Sequence, residues 1–148
     1  MKIVFGCDPN ADTFKMQLMR YVEELGHEAA NFGSDDPIYA NTAIRVAESV
    51  AAGDFDRGIL VCGTGIGVSI AANKVKGVYA ACIHDIYQAQ RAELSNHANI
   101  ITIGSQVVGI ELAKCMVKEY LSCTFDPKGR SGRKVQRIID FENDQTEK

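Results

Sequence analysis

A thiol followed by three glycines is the part of this chain best suited to chemistry. The segment Leu60-Val61-Cys62-Gly63-Thr64-Gly65-Ile66-Gly67-Val68-Ser69-Ile70 puts a cysteine at the end of an apolar run, directly before a loop with little side-chain obstruction. Glycines at 63, 65 and 67 let backbone N–H groups approach an anion. A helix starting there adds its positive end. The pattern is neither the Gly-Lys-Ser/Thr phosphate loop nor the GxGxxG dinucleotide fingerprint, and Asp85 further on does not restore a nicotinamide reading. Taken alone, such a turn is as compatible with a simple tight bend as with an anion cradle. Cys62 separates the two readings. A thiol beside unpaired N–H groups readily becomes a thiolate, which can act as nucleophile or general base. With those donors alongside, the arrangement suits proton removal next to a carbonyl, the resulting enediolate oxygen being held by backbone amides.

The elements that must position this loop follow from periodicity. Apolar runs predict strands at 2–6, 27–32, 57–62, 78–82 and 99–103. Helical spacing predicts helices at 12–25, 39–52, 68–74, 84–94 and 105–121, with Ser105 as N-cap of the last. Residues 33–37 read as a loop, and a basic stretch from Arg130 begins a final helix that ends near Phe141. Five strands alternating with helices give a parallel sheet covered on both faces, a single doubly wound α/β domain over 1–142 with a frayed tail at 143–148. Ligands of such sheets bind at the carboxyl ends of the strands. That directs attention to Gly6-Cys7-Asp8, to 62–67 and to the loop before Asn99.

Composition narrows the function classes. A formal charge of -3 argues against nonspecific nucleic-acid binding, and the opening MKIVFGCD is too short an apolar run for a signal peptide or membrane span. A cytoplasmic protein without a membrane or nucleic-acid partner is expected. Five cysteines (Cys7, Cys62, Cys82, Cys115, Cys123) without CxxC or CxxH spacing speak against a disulfide framework or structural zinc. Free thiols in a reducing compartment are expected instead, most of them in the core.

Several blocks in order carry a resemblance. Cys62-Gly63-Thr64-Gly65-Ile66-Gly67 with Ala71-Ala72-Asn73-Lys74, the opening Gly6-Cys7-Asp8, and Gly104-Ser105-Gln106-Val107-Val108-Gly109-Ile110-Glu111-Leu112-Ala113-Lys114 are similar to the signature of the ribose-5-phosphate isomerase B and galactose-6-phosphate isomerase family. The likeness runs from residue 2 to about 137, nearly the whole chain. It implies a Rossmann-like fold and a homodimer, with a tetramer as the larger alternative, whose active sites lie between subunits. It implies proton transfer between C1 and C2 of a small phosphorylated sugar through a cis-enediolate, with no metal or organic cofactor. Carried over by position, Cys62 is the general base with Thr64 beside it, and the N–H groups of Gly63, Gly65 and Gly67 stabilise the enediolate. Asp8, Asn96 and Tyr39 contact substrate, while Arg130 and Lys134 bind phosphate, Arg133 being the alternative to Lys134. Ser95 and His84 are further candidates; His84 reads equally as a helix-start residue outside the site.

The chain departs from the family at informative places. Asp8-Pro9 stands for the usual Asp-His, Ser95-Asn96-His97 for the His-Asn-Asp segment whose His opens the sugar ring, and Gln106 for an Arg that reaches phosphate. His97 is displaced by two positions and is not given the ring-opening role. Where some relatives carry a catalytic Glu this chain has Val68, so Cys62 has no rival there. A tetrose 4-phosphate cannot close the furanose ring of an aldopentose 5-phosphate and needs no ring opener. The segments 36–41, 92–96 and 124–131 look most like the tetrose- or tetrulose-4-phosphate isomerase branch associated with erythritol-type catabolism. The expected substrate is therefore a tetrulose/tetrose 4-phosphate, with ribose 5-phosphate in the pentose phosphate route as runner-up. A noncatalytic sugar-phosphate-binding module on the same scaffold is the competing class. A thiol redox enzyme is disfavoured, because no resolving cysteine neighbours Cys62 in sequence.

Overall fold

The computed structural model describes residues 1–33 and 35–146. Ser34, in the loop expected at 33–37, and Glu147 and Lys148, in the expected tail, lie outside the described residues. Strands β1 (Lys2–Cys7), β2 (Glu28–Asn31), β3 (Arg57–Cys62), β4 (Ala80–Cys82) and β5 (Ile100–Gly104) alternate with helices α1 (Asp12–Glu24), α2 (Tyr39–Ala51), α3 (Ile66–Ala72), α4 (Ile86–Leu94) and α5 (Ile110–Ser122), and α6 (Gly132–Thr146) follows. All strands pair in parallel in the order β2-β1-β3-β5-β4.

Successive strand side chains point to opposite faces, and both faces are apolar. Ile3, Phe5, Ile59, Val61, Ile101 and Ile103 pack with α1, α4 and α5 in one layer. Val4, Leu60, Cys62 and Ile100 pack with α2 and α3 in the other. This is the expected doubly wound, Rossmann-like α/β domain. Gly6 lets α2 cross β1 closely, since a Cβ there would lie 2.7 Å from Thr42 Cγ2 and 2.9 Å from Val46 Cγ2. Neighbouring strands β1 and β3 send their following helices to opposite faces, which opens a crevice at their carboxyl ends. Among the described residues, no helix is long and apolar enough to cross a membrane.

Several boundaries differ from expectation, among them the start of α3 at Ile66 in place of residue 68. Helix α5 starts at Ile110 behind Gly109, not at Ser105. The Ser105 and Gln106 N–H groups are drawn instead to the carbonyls of Cys62 and Gly63, at 2.8 and 3.0 Å, so the ladder of β3 and β5 continues into the loops. Helix α4 is capped by Asp85, whose carboxylate accepts from the Gln88 N–H at 2.7 Å, and His84 precedes it. Helix α6 runs through 143–146, where a frayed tail is expected from the sequence. No glycine or proline interrupts it, and Glu142 tethers it to the β4 side by accepting from Tyr79 Oη (2.9 Å) and Gly77 N (3.1 Å). Burial, together with the Glu142 carboxylate, pushes the Tyr79 hydroxyl up to about 12.

A buried ion pair holds the chain that leads from α5 to α6. Arg57 on β3 lies 3.3 Å from Glu93 on α4 and donates to the carbonyls of Tyr120 and Cys123. Glu93, 4% exposed, also accepts the Phe125 N–H at 2.9 Å. Removing one partner of a buried pair leaves the other charge uncompensated. Glu93→Ala is expected to destabilise the fold by about 3–5 kcal/mol, read as a lower urea midpoint with an unchanged slope.

Candidate active site

The crevice between β1 and β3 is a cleft of ≈ 240 Å³ lined by Asp8, Asn10, Tyr39, Cys62, Gly63, Thr64, Gly67 and Gln106. Each lining group has a local reason to be there. Asp8 follows β1, and its N–H continues the ladder to the Val61 carbonyl at 3.0 Å. Its carboxylate caps the short 3-10 turn Pro9–Ala11 by accepting the Asn10 N–H at 2.9 Å, with Pro9 as first residue of the turn. Asp8-Pro9-Asn10 thus presents a carboxylate and an amide to the cleft. Tyr39 opens α2, and its ring crosses the start of α3: a Cβ on Gly67 would lie 2.5 Å from its hydroxyl. Only glycine at 67 admits that approach.

Cys62 ends β3 on the α2/α3 face. It is 7% exposed, so most of its surface is packed, yet it lines the cleft. Its sulfur accepts the Gly65 N–H at 3.1 Å. Gly65 adopts φ +78, the left-handed bend in which glycine carries no steric penalty. A Cβ there would also meet Gly104 N and Ile103 C at 3.0 Å and Cys82 Sγ at 3.1 Å. The Ile66 N–H donates to Thr64 Oγ1 at 3.3 Å, which holds that hydroxyl beside the loop. The Gly63 and Thr64 N–H groups have no acceptor among the described residues. The result is a thiol at the floor of a small cleft, beside backbone donors, with one carboxylate and several neutral polar groups around it.

Other expected site residues lie elsewhere in the chain. Arg130 and Ser95 line a separate cleft of ≈ 440 Å³ with Tyr87, Arg91, Asp126 and Ser131. Asn96 is turned to the end of α4, where its amide donates to the Arg91 carbonyl at 2.9 Å. Arg133 lines a third, largely apolar cavity at the root of α6, beside His97. His97 takes φ 51 and stacks on Phe125 at 4.5 Å, well suited to packing. Lys134 is exposed and lines none of these clefts, and His84 is exposed and bonded to Gln88. Asn10 was missed by sequence reasoning, since an Asn in a loop carries no periodic signal. Gln106 was seen only as a departure from a family pattern, and its amide stands 3.5 Å from a Cβ position on Gly63. Among the described residues, no cluster of three or more His, Cys, Asp or Glu side chains is arranged to hold a metal ion.

Comparison with known proteins agrees with this architecture. The family model described as Ribose/Galactose Isomerase matches residues 3–138. The chain is 45% identical to D-erythrulose-4-phosphate isomerase 2 of Mycolicibacterium smegmatis, covering 96% of this chain and 97% of that one. It is 44% identical to Ribose-5-P isomerase B of Listeria innocua serovar 6a, with 96% and 97% covered. The solved structure of Clostridium thermocellum ribose-5-phosphate isomerase B superposes with a TM-score of 0.91 at 36% identity, over 98% of this chain and 99% of that one. A match across nearly the full length, in sequence and in fold, means that the chain belongs to the ribose/galactose isomerase family and is an enzyme that isomerises sugar phosphates between aldose and ketose forms.

Proposed function

We propose that the enzyme moves a proton between C1 and C2 of a tetrulose/tetrose 4-phosphate through a cis-enediolate, with Cys62 as the base. The observation that carries this reading is the sulfur itself. It lines the cleft at a strand end and is hydrogen-bonded by Gly65 N–H, with the Gly63 N–H free to meet a developing oxyanion. Thr64 lies beside it, Gly67 N–H opens the same cleft, and Asp8 and Tyr39 contact sugar hydroxyls. The thiolate takes the proton from one carbon and the thiol returns it to the next, while the hydroxyl proton passes between O1 and O2 of the cis-enediolate.

A phosphate ester carries a charge of about -2 at neutral pH, and among the described residues no cationic side chain lines the Cys62 cleft. Arg130 lines the other cleft. The working enzyme is therefore a homodimer in which the C-terminal segment of a second copy brings Arg130, and Lys134 or Arg133, to the phosphate. Exposed Ile66 and Ile70 on α3, beside the loop, and exposed Ile138 and Phe141 on α6 suit such burial. Ser95 and Asn96, close to the Arg130 cleft, would come with it and face the sugar. Cysteines outside any disulfide among the described residues fit a reducing, cytoplasmic setting.

The four-carbon substrate is favoured by Ser95-Asn96-His97, which places its His two positions away from the ring-opening position of the family segment. Ribose 5-phosphate is the second reading, since relatives of both kinds match over nearly the whole chain. Side-by-side initial rates in deuterated water decide between them. Erythrulose 4-phosphate is expected to turn over with the higher kcat/KM, its product carrying deuterium from solvent. A clear preference for ribose 5-phosphate would end the four-carbon reading.

A further inference from the structure

Four successive peptide planes of the glycine loop are pinned from the β5 and β4 side. The carbonyls of Cys62 and Gly63 accept the Ser105 and Gln106 N–H groups at 2.8 and 3.0 Å. The Thr64 carbonyl meets Cys82 Sγ at 3.8 Å, and the Gly65 carbonyl accepts the Thr102 hydroxyl at 2.7 Å. In a trans peptide the carbonyl of one residue and the N–H of the next point in opposite directions. Holding these carbonyls against the sheet therefore turns the N–H groups of 63 to 66 the other way. Two of those N–H groups reach catalytic side chains: Gly65 N–H meets Cys62 Sγ, and Ile66 N–H meets Thr64 Oγ1.

Two of the four anchors are backbone amides and one is a long sulfur contact. The Thr102 bond is short and comes from a side chain with 0% exposure, in a β5 run otherwise made of isoleucine and glycine. Nothing in the packing of β5 calls for a hydroxyl there, because valine has the same shape. The hydroxyl is explained by Gly65. That residue, at φ +78, is the N-cap of α3, whose carbonyl also opens the helical ladder, and the hydroxyl adds a second hold on it.

We infer that Thr102 is a positioning residue for the isomerisation: its buried hydroxyl holds the Gly65 carbonyl, fixes the 65–66 peptide, and so keeps the Ile66 N–H on the Thr64 hydroxyl in the loop that follows Cys62. Thr102 touches no substrate. It acts through the loop, and the inference rests on the reading of Cys62 as the base.

Two variants separate positioning from packing. Thr102→Val keeps the shape and removes the hydroxyl, while Thr102→Ser keeps the hydroxyl and removes a methyl group from the core. Losing one hydrogen bond of ordinary strength corresponds to roughly a tenfold change. Thr102→Val is therefore expected to lower kcat about tenfold with KM nearly unchanged. Thr102→Ser is expected to restore kcat to within about threefold although its Tm falls. All rates are taken well below either Tm. If kcat follows Tm across the two variants, or if Thr102→Val turns over like the parent, the positioning role is overturned. Cys62→Ala measured in parallel keeps the two readings apart. Normal turnover in Cys62→Ala removes the base assignment and this inference with it. An inactive Cys62→Ala beside a fully active Thr102→Val overturns this inference alone.

Discussion

Cys62→Ala is expected to lose at least about a hundredfold in turnover, the low end for a positioned acid–base group, while substrate still binds. The substitution removes the thiol proposed as the base, whose sulfur accepts the Gly65 N–H in the β1/β3 cleft. It leaves Asp8, Asn10, Tyr39 and the loop N–H groups in place, so these proposed contacts to substrate remain. Initial rates and calorimetric titration with the sugar phosphate measure the two halves separately. The sulfur is largely packed, so a small loss of stability accompanies the change. Assay well below the Tm removes that contribution. A variant that binds and turns over normally would show that the sulfur is merely core.

Mixing Cys62→Ala with Arg130→Ala chains is expected to regenerate activity that neither has alone. Arg130→Ala by itself should lower kcat/KM about 10- to 100-fold, the range for losing a charge-assisted hydrogen bond. If Cys62 of one copy works with Arg130 of the other, a mixed dimer holds one intact site and one doubly impaired site. In a two-fold dimer with random exchange, half the dimers are mixed and half of their sites are whole. About a quarter of parental activity should return. Denaturation and joint refolding of the pair, followed by rate measurement, reads this directly. A site complete within one chain predicts no recovery, whatever the degree of exchange. The physical basis is that the thiol and the arginine line different clefts of the same chain. In the proposed dimer the second copy brings its arginine to the cleft that holds the thiol.

Elements whose own residues carry the folding signal were legible. Strand β3 was expected at 57–62 and is found as Arg57–Cys62, because a continuous apolar run bounded by a glycine turn is what a doubly covered central strand requires. Helices α1 and α2 start where expected, since their apolar stripes begin there. Ser105 was misread because its N–H serves a distant carbonyl, Cys62 O, and no local pattern records a partner across the sheet. The start of α4 shifted for a simpler reason: Asp85 is the better cap, and its carboxylate takes the Gln88 N–H.

The candidate site divides along the same line. Cys62, its glycines and Asp8 stood out in the chain by type and spacing, because a thiol before an unobstructed loop has chemical meaning wherever the loop lies. Tyr39, Asn10 and Gln106 are far apart in sequence, and parallel pairing of β1, β3 and β5 brings the segments around them to one cleft. Thr102 was silent in the sequence, an apparently ordinary strand residue whose hydroxyl acquires a purpose only when Gly65 lies over β5. Sequence by itself determined the layered parallel sheet and singled out the Cys62 sulfur as a candidate base, since both follow from local periodicity and side-chain chemistry. Tertiary structure alone decided which groups face that sulfur, because distance in space depends on the order in which strands pair, and strand order leaves no mark on neighbouring residues.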